Sequence, residues 1–406
     1  MASPTGRVVG FTLVTLLPAL ASLVSLPVLA RALDPSAWAG LAVGQSVGAM
    51  ASLVAAGGWA LTGPSAVADA AAPIRRSLYE ESVRQRALAA LVVIPVGMLV
   101  TSVLVPDSAR MLSLAVCAST SLVALSPRWL LVGAGRATDV LRFEGLPVAG
   151  AHLVAAGLIV AGGDPLIYPA AIAVAYAGAA SAVTLVVRRA PRAEPWVRVS
   201  WRSRWVPTAT EAVAGAYSAI NVALVSAPVS AVALAGYASG WKLYQWGLVV
   251  VAGSCQALQG WVAAPEGRPQ RFRTAVTIHA AVGALGLVGF VLLGGPLSSL
   301  LFGSSLRMPD DVSVWFGVAV LFLSLNSSLG RHVLVTCGRV DAVLRSTLLG
   351  AVVGVPAILI LVHRHGVVGG AAGLALTEAL VFAYQLTVAR PLLRRRKPNP
   401  GGATGR

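Results

Sequence analysis

The sequence predicts an all-α, polytopic membrane protein in which twelve transmembrane helices form two pseudo-symmetric six-helix lobes. Three observations predict this class: the composition, a series of twelve apolar stretches, and an internal echo between the halves. The chain is 57% hydrophobic and only 11% charged, with a mean hydropathy of +0.79. Soluble domains carry roughly 25% charged residues. This chain therefore has too little polar surface for a soluble fold.

Twelve stretches approach the roughly 20 apolar residues that a helix needs to cross a bilayer. They are Val8–Ala30, Trp38–Gly58, Ala87–Val105, Arg110–Gly133, Leu146–Ala161, Leu166–Val187, Val206–Ala227, Val232–Val262, Ala275–Leu301, Val312–Thr336, Leu344–Val362 and Val367–Val388. The first is too long for the core of a cleaved signal peptide and contains two prolines. Between the second and third stretches, Trp59–Arg86 is predicted to be a polar loop.

The domain boundaries follow from these stretches. Residues 1–190 are the predicted N-terminal lobe, 191–205 a basic, tryptophan-rich cytoplasmic linker, 206–392 the C-terminal lobe and 393–406 a basic disordered tail. Tryptophan mixed with arginine suits a linker at the level of the lipid headgroups, although a simple basic loop explains it as well.

An internal echo supports two related halves. Arg128–Arg142 recurs 203 positions later as Arg331–Arg345, with eight of fifteen residues identical. A weaker echo, Ala39–Gly44 and Ala235–Gly240, lies 196 positions apart, and the abundance of Ala and Gly leaves chance as an alternative for it. Duplicated halves around a central site are a recurring transporter architecture.

The basic residues predict the orientation. With the N-terminus in the cytoplasm, 26 of the 31 Lys and Arg residues fall on the cytoplasmic side, four fall outside and Lys242 lies within a helix. Cytoplasmic loops are rich in Lys and Arg, so both termini are expected in the cytoplasm. The net charge of +16 is then orientation charge that meets anionic membrane lipids, and no nucleic-acid partner is expected.

Three short motifs carry a resemblance to a known family. They are Leu29–Pro35 followed by Trp38-Ala39-Gly40, Gly58–Pro64 after the second helix, and Pro127–Gly133 in the fourth. In order and spacing they resemble motifs of the polysaccharide exporters, the lipid-linked oligosaccharide flippases of the multidrug/oligosaccharidyl-lipid/polysaccharide (MOP) superfamily. The resemblance spans nearly the whole chain, although each motif alone is short and apolar.

This resemblance implies a function and a set of partners. It implies alternating access that moves an undecaprenyl-pyrophosphate-linked oligosaccharide from the inner to the outer leaflet of a bacterial inner membrane. The partners would be the lipid-linked glycan and membrane lipids, with glycan polymerases or glycosyltransferases as further candidates. No catalytic residue, cofactor or metal is expected, because the sequence contains no phosphate-binding loop, nucleophile elbow or paired-carboxylate motif.

Arg128 and Arg331 are the leading candidates for phosphate binding. Each lies one to two turns inside the cytoplasmic end of its helix, and a two-fold axis along the membrane normal would bring them face to face. Paired guanidinium groups bind a pyrophosphate well. The alternative is that each snorkels to the headgroup layer.

The remaining candidates are polar groups at membrane depth, which are costly and therefore suggest function. Lys242 is expected to face the cavity or pair with Glu211, and Glu211 and Glu378 are candidate coupling or charge-pair residues. Asn221 and Asn326 are candidates for sugar contact or for interhelical hydrogen bonds. A further substrate-binding candidate, Arg31 at the outer end of the first helix, could instead anchor that helix.

Other polar and sulfur-containing groups are expected to be structural. His152 and His279 are isolated on apolar helices and are predicted to be packed, and the three cysteines read as small buried hydrophobes.

Two other functions remain open. A cation-coupled efflux pump for organic cations would favour an acidic cavity, whereas the intramembrane charges here lean slightly towards an anionic substrate. A non-transporting scaffold of a glycan assembly complex would need no buried charge at all.

Overall fold

The computed structural model describes residues 4–68, 70–191, 199–263 and 268–394, and these ranges are helical and contain no β-strand. The helices of the N-terminal half are α1 (Pro4–Ala32), α2 (Pro35–Ala55), α3 (Trp59–Ala68), α4 (Ala72–Leu104), α5 (Asp107–Gly133), α6 (Ala137–Val160) and α7 (Ile167–Val187). After a 3₁₀ turn at Trp201–Arg204 come α8 (Trp205–Ala219), α9 (Asn221–Ser226), α10 (Ala231–Ala263), α11 (Arg268–Phe302) and α12 (Asp310–Val335).

One long helical stretch, Val340–Arg394, completes the chain and reverses at Gly366. There φ is +56° and ψ is −138°, a conformation that essentially only glycine adopts. The arms, residues 340–365 (α13) and 367–394 (α14), run antiparallel, because Gln385 donates to the Ser346 hydroxyl at 3.0 Å. Each arm holds one of the last two predicted membrane stretches.

Eight helical stretches are long and apolar enough to cross a membrane, judged by length and composition within the described residues. The stretch that reverses at Gly366 counts once among them. Residues 192–198 of the predicted linker and 395–406 of the predicted basic tail lie outside the described residues.

The predicted polar loop at Trp59–Arg86 is wrong, because the chain is helical through most of it. Two glycines with positive φ, Gly57 and Gly58, end α2, and α3 follows at once. The α4 helix then begins at Ala72, well before the predicted start of the third stretch. Its first turns are polar but not exposed: Glu81 and Arg86 are each only 2% exposed. Polarity therefore signalled buried hydrogen bonding here rather than a solvated loop.

The fourth predicted stretch is helical but broken near its end. Asp107–Ser121 passes into a 3₁₀ turn at Leu122–Leu125, and the helix restarts at Arg128. Pro127 explains the break, since it offers no N–H and disfavours the α conformation of Ser126 before it. Related irregularities follow at the same end of the bundle, where Leu141–Gly145 and Ser328–Val335 are π-helical.

The buried apolar residues divide into one large shared cluster and three smaller ones, of which the smallest consists of Ala55, Ala90 and Ala124. The term basic end is used below for the end of the bundle at which α1 begins and at which α14 also ends. The large cluster lies towards the opposite end and joins both halves, for example through the Trp38 and Phe302 rings, whose centroids are 5.4 Å apart. At the basic end each half has its own cluster. One contains Trp59, Tyr79 and Trp129, and the other contains Val262, Phe272, Leu329 and Val333. Within the described residues, the halves thus share a large buried apolar cluster towards the opposite end, whereas at the basic end each half has a cluster of its own.

Candidate functional site

Two adjoining cavities open at the boundary between the halves, towards the basic end. Their volumes are about 470 and 340 Å³, and Leu53 and Glu211 line both. The larger is otherwise lined by α8 and α10, including Ser218, Trp241 and Gln245. The smaller extends into the N-terminal half, where its lining includes Arg86, Ser126, Arg128, Glu144 and Tyr176.

Arg128 lies in the smaller cavity, at the restart of α5. Its guanidinium is 3.9 Å from the Glu144 carboxylate, and its side chain is 39% exposed. The Ser126 hydroxyl donates to the same carboxylate and accepts from the Arg128 backbone N–H at 3.2 Å. The break in α5 thus presents a cation at the cavity wall, beside a carboxylate supplied by the π-helical start of α6.

Sequence reasoning assigned Arg86 to a loop, whereas the structure buries it beneath this break. Its guanidinium donates to the carbonyl oxygens of Ala124 and Ser126, both at 2.8 Å, and to the Ser82 hydroxyl at 3.2 Å. These are the carbonyls that the interrupted helix leaves without helical donors. The only signal in the sequence was the Ser-Pro break, because nothing local links residue 86 to residue 124.

Glu211 lies where the two cavities meet. Its carboxylate accepts a hydrogen bond from the Gly58 backbone, at the turn between α2 and α3. Its Oε2 atom is buried and has no hydrogen-bond partner within the described ranges. The Arg204 guanidinium lies 3.7 Å from the centroid of the Trp59 ring and donates to Thr62, which fastens the start of α8 to α3.

Lys242 is buried at the boundary between the halves, but its partner differs from the predicted one. Its ammonium donates to Gln45 of α2 and, at 3.3 Å, to Gln245. No ion pair joins Lys242 to Glu211, although both residues are described. Gln245 also lines the larger cavity, so the ammonium is one hydrogen bond away from that cavity wall.

Glu378 is the centre of a buried polar cluster within the C-terminal half. Asn326 donates to its carboxylate at 2.8 Å and to its backbone carbonyl at 3.0 Å, and the Tyr217 hydroxyl also hydrogen-bonds the carboxylate. Glu378 is 2% exposed. Asn326 is thereby explained by an interhelical hydrogen bond, and neither residue belongs to the lining of the two cavities.

The other three candidates lie apart from the two cavities. Asn221 is fully buried and accepts from Tyr237 at 2.5 Å. Arg31 donates to the carbonyl of Leu300 at 2.6 Å and so ties α1 to α11 at the end opposite the basic end. Arg331 is exposed and contacts the Cys255 thiol. Its pairing with Arg128 across the cleft stays a prediction.

The cavity lining can bind a polar group of either sign. Its ionisable side chains are two arginines, Arg86 and Arg128, and two glutamates, Glu144 and Glu211. By formal charge the lining is balanced, in contrast to the expected excess of positive charge. Aromatic and amide groups complete the wall, and these are suited to sugar rings and hydroxyls.

Comparisons with solved structures identify the fold. An inward-facing multidrug-resistance MATE transporter of the MOP superfamily aligns over 93% of this chain and 94% of its own, with a TM-score of 0.68 and 14% identity. The lipid II flippase MurJ, in an inward closed conformation, aligns over 94% and 87%, with a TM-score of 0.73 and 8% identity. The chain has the MOP-superfamily transporter fold.

A third solved structure has the same fold. It is a MOP-superfamily transporter from Pyrococcus furiosus, described as having a binding pocket of reverse polarity, with a TM-score of 0.63, 14% identity and coverage of 97% and 96%. No family model and no curated protein matches the sequence. The three solved structures are transporters or flippases, and this chain shares their fold. Within its described residues, eight helical stretches are long and apolar enough to cross a membrane.

Proposed function

We propose that this MOP-fold protein is a flippase that moves an undecaprenyl-pyrophosphate-linked oligosaccharide from the inner to the outer leaflet by alternating access. The observation that carries the proposal is the cavity between the halves, which presents the Arg128 guanidinium beside aromatic, amide and hydroxyl groups. A guanidinium binds phosphate oxygens through two parallel hydrogen bonds. The amide and aromatic groups suit the glycan.

A separate apolar groove supports a lipid-linked substrate. It has a volume of about 580 Å³ and is lined by α2, α4, α9 and α13, with Val47, Met50, Val96 and Leu224 among its residues. The same turns of α2 contribute Leu53 to the cavities and Met50 to the groove. A polyprenyl chain in this groove would lie next to a headgroup in the cavity, so the tail would never leave apolar surroundings.

The arrangement of the cores supports loading from the basic end. The halves share buried apolar residues at the opposite end and have separate clusters at the basic end. We propose twelve membrane helices in two lobes, 1–190 and 206–392, with both termini in the cytoplasm of a bacterial cell. In that orientation the cavities open towards the leaflet in which a lipid-linked precursor is made.

A second candidate is a cation-coupled efflux pump, because MATE transporters share this fold and the cavity contains two carboxylates. The unpartnered Oε2 atom of Glu211 is a specific feature that favours it. An organic cation or a proton would satisfy this atom.

One experiment separates these functions. Purified protein is reconstituted into vesicles, and movement of a short-chain lipid-linked pyrophosphoryl oligosaccharide between leaflets is measured alongside uptake of a fluorescent organic cation. A flippase moves the lipid, and Arg128→Ala abolishes this movement, with the exposed Arg110→Ala as the control. Cation uptake without lipid movement would instead identify an efflux pump. If neither occurs, and cells with Arg128, Arg331 and Lys242 all replaced by Met still export glycan, the protein is a scaffold.

A further inference from the structure

Three potential metal ligands meet inside the C-terminal half, on three different helices. Cys255 of α10, His279 of α11 and His332 of α12 each contribute one sulfur or nitrogen atom, and these atoms lie within 4.8 Å of one another. All three residues are buried, with exposures of 1%, 0% and 0%. The cluster is separate from the cavities, and sequence reasoning missed it because the residues are distant along the chain.

The hydrogen bonds leave one histidine nitrogen without a partner. The Ser324 hydroxyl donates its hydrogen to the His279 carbonyl at 2.8 Å, so at its 3.2 Å contact with Nδ1 of His279 it must accept. In the neutral ring the proton is therefore on Nδ1, and Nε2 carries a lone pair. That Nε2 atom is buried and has no hydrogen-bond partner among the described residues. A buried acceptor left unsatisfied keeps the full cost of its desolvation, which a metal ion at this nitrogen would remove.

The other two residues show a similar arrangement. The Cys255 sulfur lies 3.5 Å from Nε2 of His332, and Ser328 lies 3.3 Å from the Nδ1 atom of the same ring. Both histidines thus have a serine hydroxyl at Nδ1, as metal-bound histidines commonly have an oxygen partner at the nitrogen away from the metal. Nε2 of His332 also lies 3.0 Å from the Cys255 carbonyl, a contact that metal binding would replace.

The N-terminal half has a different set of residues at the corresponding positions. Trp59 and Trp129 precede Cys255 and His332 by 196 and 203 positions, which are the spacings of the two sequence echoes, and Tyr79 precedes His279 by 200 positions, a value between them. The three aromatic rings pack together, with centroid distances of 5.0 Å for Trp59–Trp129 and 6.3 Å for Tyr79–Trp129. At these positions the N-terminal half packs three aromatic rings, whereas the C-terminal half has a thiol and two imidazoles.

We propose that Cys255, His279 and His332 form a zinc site that joins α10, α11 and α12. One thiolate and two imidazoles are zinc ligands, and the fourth position of a tetrahedral ion would hold water or another donor. Binding displaces the proton of the Cys255 thiol. The proposal is independent of the transported substrate.

The test uses full-length protein purified without a polyhistidine tag. One zinc ion per chain is expected by elemental analysis, and Co²⁺ in its place should give the near-ultraviolet charge-transfer band of a cobalt–thiolate bond. Cys255→Ala should remove that band. Ser324→Ala should weaken binding about 10- to 100-fold, which is typical of losing an outer-shell partner.

Two buried residues of the N-terminal half provide matched controls. Cys117→Ala and His152→Ala should leave both the metal content and the cobalt band unchanged. His279→Tyr and His332→Trp introduce the aromatic residues of the other half, and should give folded protein without metal. Absence of zinc and of the cobalt band from wild-type protein would overturn the proposal, as would a band that survives Cys255→Ala.

Discussion

Arg86 should be essential to stability, in addition to lining the smaller cavity. It is 2% exposed and donates to two carbonyl oxygens at the break in α5. Hydrogen bonds to charged groups contribute about 1.5–3 kcal/mol each. Arg86→Ala loses two such bonds and leaves the carbonyls of Ala124 and Ser126 unsatisfied, while relieving part of the cost of burying a guanidinium. We expect a net loss of about 2–4 kcal/mol.

The measurement is the unfolding temperature of the purified protein, followed by tryptophan fluorescence in detergent. Arg110 is the control, because its side chain and that of its ion-pair partner Asp107 are 46% and 84% exposed, so its alanine variant should unfold like wild type. Arg86→Lys should fall between Ala and wild type, since an ammonium keeps the charge but lacks the planar set of donors. Equal unfolding temperatures for Arg86→Ala and Arg110→Ala would refute this reasoning.

Three further predictions follow from the described contacts. Arg128→Ala and Arg331→Ala should each reduce delivery of surface glycan while the protein still inserts; normal delivery in both variants and in the double variant would rule out the pyrophosphate role. Replacing Lys242 with Glu should abolish transport, and Glu211→Lys should not rescue it, because Lys242 bonds to amides; rescue, scored in the same export assay, would revive the ion pair. Gly366→Ala should destabilise the protein by about 1–3 kcal/mol, because the backbone conformation at this position suits only glycine. An unfolding temperature equal to that of wild type would show that alanine is not strained there.

Much of the helical arrangement could be predicted from the sequence, because length and hydropathy are local properties. The loop prediction failed at Trp59–Arg86, where the polar residues are in a helix and bury their hydrogen bonds inside the protein. Burial of Lys242 was predictable from its apolar neighbours. Its partner Gln45 was not, since the two are 197 positions apart and a glutamine carries no charge to suggest pairing.

The site was predictable only in part, for a related reason. Arg128 was identified because it stands out in an apolar stretch. Glu144 and Arg86 were missed because polar neighbours surround them in the sequence. Cys255, His279 and His332 come together only because α10, α11 and α12 pack against one another. Residue spacing within a single helix cannot predict that contact.

The uneven distribution of the shared core has a consequence for motion. Opening the end opposite the basic end would require Trp38 to leave Phe302 and the Ser239 hydroxyl, to which its indole donates at 3.1 Å. That separation would expose the buried rings of Trp38 and Phe302, which costs free energy. Closing the basic end would instead bury additional surface between the halves. If access alternates as proposed, these contacts favour the state that is closed at the end opposite the basic end, and binding in the cavity must supply the free energy that breaks them.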